Sequence, residues 1–325
     1  MKENKKNLLK TILMLLILPS CTVLRKTVSD DSSLPQKEIN GYKYHIKEFG
    51  SSEKPVIIVI HGGPGGDLNY LLPLKNLSEN YHVIFYDQRG SGLSPRVPNS
   101  ELNIEQYIKD LDDIVKNYKQ KGKAILIGHS WGAILAIDYI GRYPDKISHA
   151  IIAEPGMLNQ ETAKVFVKSL KEHQSFSDTA FFLSKFIQSA LVKSHDGHER
   201  FDFVMTKMLN RNRPGKPYQC AGKALSPNLF KRGGFESFNQ MLKPVFDDPS
   251  SLKHDFSKNI HNHKGKILFM SSSCSFIGFS FQEKHHLPLM PRNTLHIKAP
   301  NMGHNFFTTH PDWSKKVILN FLDKT

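Results

Sequence analysis

Short, mostly apolar runs recur along the chain, and between them lie stretches whose apolar residues fall three and four apart. Val56 to Ile60, Val83 to Tyr86, Ala124 to Gly128, Ala150 to Ala153, Ile267 to Met270 and Leu295 to Ile297 have the length and composition of buried strands. A strand that is apolar on both faces must be covered on both, which predicts a mostly parallel sheet between layers of helices. Tyr42 to Phe49 reads as an edge strand. Ile104, Tyr107, Ile108, Leu111, Ile114, Val115 and Tyr118 form one stripe at helical spacing. Ile134 to Tyr143 and Trp313 to Leu322 predict further covering helices, so the fold class is α/β.

The strand rhythm stops from about Met157 to His263. Lys, Phe, Ser and Gln become common there, with helical patterns at Ala163 to Leu170 and Thr179 to Leu191, and 16 basic side chains stand against 10 acidic ones. Strand-like segments resume afterwards, so residues 157–263 read as a helical cap inserted into a core made of residues 38–156 and 264–325.

The amino end has a different character. Lys2, Lys5 and Lys6 precede the apolar run Leu8 to Leu18, Lys10 lies near its start, and Leu18-Pro19-Ser20-Cys21 follows. This order reads as a bacterial lipoprotein signal over residues 1–21, with lipid attached at Cys21, because the run is short for a bilayer of ~30 Å. The polar segment 22–37 then reads as a tether, and the protein is expected on the cell envelope outside the cytoplasm. The formal charge is +14, which favours anionic surfaces such as lipid; its scattered basic residues and lack of a recognition motif argue against nucleic acid. Besides Cys21 there are two cysteines, Cys220 and Cys274, which suit either a disulfide in an oxidising compartment or a pair of buried thiols.

Three short segments carry chemistry. Gly128-His129-Ser130-Trp131-Gly132 is G-x-S-x-G between a predicted strand and a predicted helix, a sharp corner that projects the serine hydroxyl as a nucleophile. Ile60-His61-Gly62-Gly63-Pro64-Gly65-Gly66 follows the first strong strand. Acyl transfer generates an oxyanion that needs fixed N–H donors, and the amides of Gly63 and Trp131 are the candidates; Pro64 stiffens the loop and permits a cis Gly63–Pro64 bond. No Gly-Lys-Ser/Thr follows, which excludes a phosphate loop. The third segment, Asp87-Gln88-Arg89-Gly90-Ser91-Gly92-Leu93-Ser94, reads as structural, with Asp87 and Arg89 bracing neighbouring loops. His261 and His263 lack the partners of a metal site, and serine chemistry requires neither metal nor cofactor.

HGGPGG, DQRGSGLS and GHSWGA, in this order and spacing, resemble the proline iminopeptidase family of α/β-hydrolases. The resemblance is specific over residues 41 to about 156, weaker from about 264 onward, and fades in the cap. It implies an α/β-hydrolase fold and an aminopeptidase that removes amino-terminal proline or related residues. Pro300-Asn301-Met302-Gly303-His304-Asn305 is similar to the family's Gly-His loop, which implies that His304, rather than His285, His286 or His310, is the base. The chain departs from the family at the acid: the stretch after Ile267 to Met270 reads Ser271-Ser272-Ser273-Cys274-Ser275 and holds no carboxylate, and Glu283 lies well beyond it. Glu154, at the end of the adjacent strand, is the expected replacement.

These features predict a serine hydrolase acting on a small molecule or short peptide. An aminopeptidase needs a carboxylate for the substrate ammonium, and the cap offers Glu161, Glu172, Glu199 and Glu236 within a basic composition. A carboxylesterase or amidase is the alternative, and an inactive surface-binding lipoprotein is a third reading.

Overall fold

The computed structural model describes residues 24–119, 122–211, 218–220 and 228–323. The expected signal 1–21 and its Cys21 lie outside them.

The first hairpin is made by β1 (Gln36–Ile39) and β2 (Tyr42–Phe49), joined at Asn40 and Gly41, both with positive φ. These are the conformations a two-residue hairpin turn demands. Then come β3 (Val56–Ile60), a 3₁₀ stretch at Leu68–Glu79, β4 (His82–Tyr86), α1 (Ile104–Tyr118), β5 (Ala124–His129), α2 (Trp131–Arg142) and β6 (Ile147–Ala153). After β6 the described chain forms α3 (Gln160–Glu172), α4 (Phe176–Ser189), α5 (Glu199–Leu209), α6 (Phe235–Met241) and α7 (Lys243–Asp247) before the strands return. The last elements are β7 (Lys266–Ser272), α8 (Phe279–His285), β8 (Leu295–Ala299), α9 (Phe306–Thr309) and α10 (Pro311–Asp323).

One eight-stranded sheet runs in the order β1-β2-β4-β3-β5-β6-β7-β8. β2 is antiparallel to β1 and β4, and the rest are parallel. Successive side chains of a strand face opposite ways, and the central strands feed two apolar layers accordingly. Ile58, Ile60, Ile84 and Tyr86 join α1 and α2 on one face; Ile57, Val59, Val83 and Phe85 join Leu71, Leu74 and Ile318 on the other. This is the fold class read from the apolar runs.

The expected tether 22–37 departs from that reading where it is described. Leu24 packs with Val192, Phe203 and Val204, and Val28 is buried with its N–H donating to the Leu93 carbonyl at 2.9 Å. Leu24 and Val28, with Gln36 and Lys37 already paired to β2, lay the segment on the body. No helix of the described residues is long and apolar enough to cross a membrane.

Candidate active site

Ser130 occupies the corner between β5 and α2 with φ 56° and ψ −118°, a backbone state that costs a non-glycine residue about 1–3 kcal/mol and persists only where the surroundings impose it. The surroundings here are tight. A Cβ on Gly128 would stand 2.4 Å from the Gly132 carbonyl oxygen, and one on Gly132 would stand 2.1 Å from that of Ile60. The two glycines let β5, β3 and α2 approach until the corner closes. The Ser130 N–H donates to Ala153 O at 2.8 Å, tying the corner to β6, and the first amides of α2 have no partner within the helix.

His304 lies after β8, and its Nδ1 contacts Glu154 Oε2 at 2.6 Å. Glu154 follows β6 directly, is fully buried and has φ 45°. Its Oε1 accepts the N–H of Ser272 at the end of β7. The carboxylate thus spans β6, β7 and the histidine loop. With Nδ1 held, the other ring nitrogen is the one left to exchange a proton with a substrate or hydroxyl. Glu283 is exposed on α8. His286 is buried against Gln282, and burial pushes it down to about 3; His310 pairs with Thr309.

A second histidine fixes this arrangement. The Gly62 N–H donates to Tyr70 Oη at 2.7 Å, the Tyr70 hydroxyl donates to His129 Nδ1 at 2.8 Å, and His129 Nε2–H donates to the His304 carbonyl at 2.9 Å. Only one proton assignment satisfies the chain, because its ends are a backbone donor and a backbone acceptor. Burial, and then the neighbouring His304, hold His129 well below the usual histidine range, so the ring is neutral, as the relay requires. The glycine loop and the histidine loop are thereby joined through the residue before the serine. Sequence reasoning missed Tyr70 and this use of His129; only the position of His129 inside the motif hinted at it.

The Gly63–Pro64 bond is cis and Gly63 has φ 134°. Gly63 and Ser130 line both of two adjoining cavities. The first, of about 250 Å³, also holds His304, Tyr218 and Arg211. The second, of about 230 Å³, holds Trp131 and the apolar side chains of Phe166, Leu209, Phe238 and Phe246. No aspartate or glutamate of the described residues lines either one. Glu161 and Glu172 are exposed and Glu199 is buried beneath its own turn, accepting from Ser194 and the amides of His195 and Asp196. Arg211 pairs with Asp178 at 2.7 Å.

The bracing expected of the third motif is present. Asp87 is buried and accepts from Leu68 N, Leu93 N and His45, while Arg89 makes two 2.8 Å bonds to Asp110. Cys220 and Cys274 form a disulfide. It closes beside the site, where the Tyr218 carbonyl accepts the His304 N–H at 2.7 Å and the two rings stand 4.9 Å apart. Among the described residues no group of three or more His, Cys, Asp or Glu side chains is placed to hold a metal ion.

A family model described as the alpha/beta hydrolase fold matches residues 55–190. A proline iminopeptidase of Saccharolobus solfataricus is 38% identical over 123 residues, 36% of this chain and 39% of that protein, so the matched stretch spans about two fifths of that relative. A probable aminopeptidase of Bacillus subtilis, YbaC, is 31% identical over 296 residues, covering 79% of this chain and 89% of that protein. The crystal structure of a proline iminopeptidase of Mycobacterium smegmatis has a TM-score of 0.60 at 15% identity, covering 89% of this chain and 97% of that one, which is a likeness of fold.

Proposed function

We propose that this chain, which belongs to the proline iminopeptidase-like family of α/β-hydrolases, is a serine hydrolase working through an acyl-enzyme, with amino-terminal peptide bonds as its first candidate substrates. One observation carries the mechanism: a buried carboxylate holds Nδ1 of a histidine that shares a cavity with a serine on a strained corner. In this reading Ser130 attacks the carbonyl carbon as His304 takes its proton, and Glu154 orients the ring and offsets the imidazolium charge. The amides of Gly63 and Trp131 hold the oxyanion. His304 then gives the proton to the leaving group, and a water, deprotonated by the same histidine, releases the acyl group.

The names of the relatives support the peptide bond. A second reading, an ester or amide of an uncharged apolar acyl group, is favoured by the walls of the second cavity, which carry aromatic and aliphatic side chains and, among the described residues, no carboxylate for an ammonium. From Arg211 to Phe235 the sequence contains no acidic residue either. The reading of residues 1–21 as a lipoprotein signal, anchoring the enzyme outside the cytoplasm through Cys21, rests on the order of basic head, apolar run and cysteine.

Labelling with a fluorophosphonate tests the mechanism: the wild type is expected to react and Ser130→Ala to remain unlabelled, because an unactivated serine hardly reacts. An unlabelled wild type would leave the fold without the activity. Prolyl-naphthylamide against p-nitrophenyl esters of increasing chain length then separates the two bonds.

A further inference from the structure

α4 has 14 residues and buries only Ser189. Its apolar residues fall at helical spacing and point outward: Phe176 is 86% exposed, Ile187 68%, Leu183 52% and Phe186 48%. Leu191 and Phe201, just beyond it, continue the exposed face. The rings of Phe182, Phe186, Phe201 and Phe235 stand in sequence, with centroids 6.2, 6.3 and 5.0 Å apart. A helix that turns its apolar stripe to the outside is a binding surface, since exposure of such a stripe to water is unfavourable.

Two observations identify the occupant. Every acidic residue from Phe176 to Asp202 is engaged inward: Asp178 with Arg211, Asp196 with Arg232, Asp202 with Arg96 and Arg232, and Glu199 with its own turn. Lys193 and Arg200 are exposed beside the face, so its rim is cationic. A second copy packed face to face would oppose like charges, whereas anionic headgroups would complement them. Leu24, the first described residue, is packed on Val192, Phe203 and Val204 of the same cap, beside this face.

We infer that the outer face of α4, continued by Leu191 and Phe201, docks the cap on an anionic lipid bilayer. Its aromatic and aliphatic side chains enter the interface while Lys193 and Arg200 meet the headgroups. α5, which carries Phe201 on one side, turns Met205, Met208 and Leu209 toward the two cavities, so docking sets the site close to the lipid surface. The inference does not depend on which bond the site cleaves.

The test uses the full chain carrying Cys21→Ser, so that no lipid is attached, and vesicles of phosphatidylcholine with and without phosphatidylglycerol. Binding to the mixed vesicles is expected to weaken on the order of 100-fold when Phe176, Phe186, Ile187 and Leu191 are all replaced by serine. High salt is expected to weaken it ~10-fold, and fluorophosphonate labelling in the absence of vesicles serves as the check that the variant is folded. The indole introduced by Ile187→Trp, in the otherwise unchanged face, is expected to be quenched by brominated lipid. Vesicle binding that ignores the four substitutions would mean that residues 1–23 alone hold the membrane, and would overturn the inference. Fluorescence of the Ile187→Trp variant that brominated lipid leaves unchanged would overturn it too, as would a dimer that the four substitutions dissolve without any change in vesicle binding.

Discussion

Two helices of nearly equal length use their apolar residues in opposite ways. α1, with 15 residues, turns Tyr107, Ile108, Leu111, Ile114 and Val115 onto the sheet, while α4, with 14, buries a single serine. The first belongs to the part of the molecule that carries Ser130, Glu154 and His304, the second to the segment between β6 and β7, other parts of which line the cavities beside them. In the core every catalytic candidate sits at the end of a strand or just after it, where the sheet fixes its position. In the cap the side chains that reach the cavities come from α3, α5, α6 and α7 and from the segments between them, while the outer face of α4 packs on nothing among the described residues. On the proposed function, the core supplies the chemistry and the cap governs access to it.

The hardest way to break this division is to disable the core at one atom pair. Glu154→Gln keeps the shape of the side chain but replaces the charged acceptor on His304 Nδ1 by an amide, and can leave the ring in the wrong tautomer. kcat is expected to fall about 10³-fold or more. Glu283→Gln, on the exposed surface of α8, is expected to change kcat less than about twofold. Steady-state kinetics with one substrate compares them directly. Equal losses, or a greater one at Glu283, would mean that the acid lies elsewhere.

The sheet was legible because its central strands are apolar on both faces, a pattern that tertiary context seldom overrides. The pairing of Glu154 with His304 was legible through an absence, since no carboxylate closely follows Met270 and one stands at the end of the neighbouring strand. β1 was not: Gln36-Lys37-Glu38-Ile39 has one apolar residue, and the signal that could have found it was the Asn40-Gly41 turn. The 3₁₀ stretch at Leu68–Glu79 contains Pro73, which argues against a helix when read locally. The relay through Tyr70 and His129 joins residues 59 and 175 positions apart, so no local pattern can announce it. Periodicity found the helix near Thr179 to Leu191 but assigned no direction to its apolar face, because a stripe looks the same whether it meets protein or lipid.

A smaller effect is expected where cap and core are covalently joined. Cys220 and Cys274 are 54 residues apart, and closing a loop of that length restricts the unfolded chain enough to stabilise the fold by about 2–4 kcal/mol. Replacing both by serine is expected to lower the urea midpoint accordingly. kcat is expected to fall less than about tenfold, because the Tyr218 carbonyl still accepts the His304 N–H and the relay through His129 is untouched. A loss of activity comparable to that of Glu154→Gln would show that the cap, through this bridge, places the base, and the division between the two regions would fail.

The smallest effect concerns the seam itself, at Asp67. This fully buried side chain caps the 3₁₀ stretch through Asn69 N at 2.8 Å and reaches across to the cap, accepting from Lys231 N and from Arg232 N, the latter at 3.2 Å. Burial, and then the charge of Asp87, push its carboxyl up to about 6 from an ordinary value of 3.8. Between those two values the folded protein binds a proton that the unfolded chain has released, so this group's contribution to stability declines as pH rises through the window. Below it both states are protonated and above it neither is, and there the contribution is flat. Asp67→Asn removes the titration. The stability of the wild type relative to the variant is therefore expected to drop by about 2 kcal/mol between pH 4 and pH 7, whatever the fixed cost of exchanging the acceptor. Urea unfolding of both proteins at the two pH values measures this difference of differences. Parallel pH dependence would mean that the amides of Lys231 and Arg232 hold the carboxylate ionised throughout, and that the seam is a charged contact at every pH where the protein is folded.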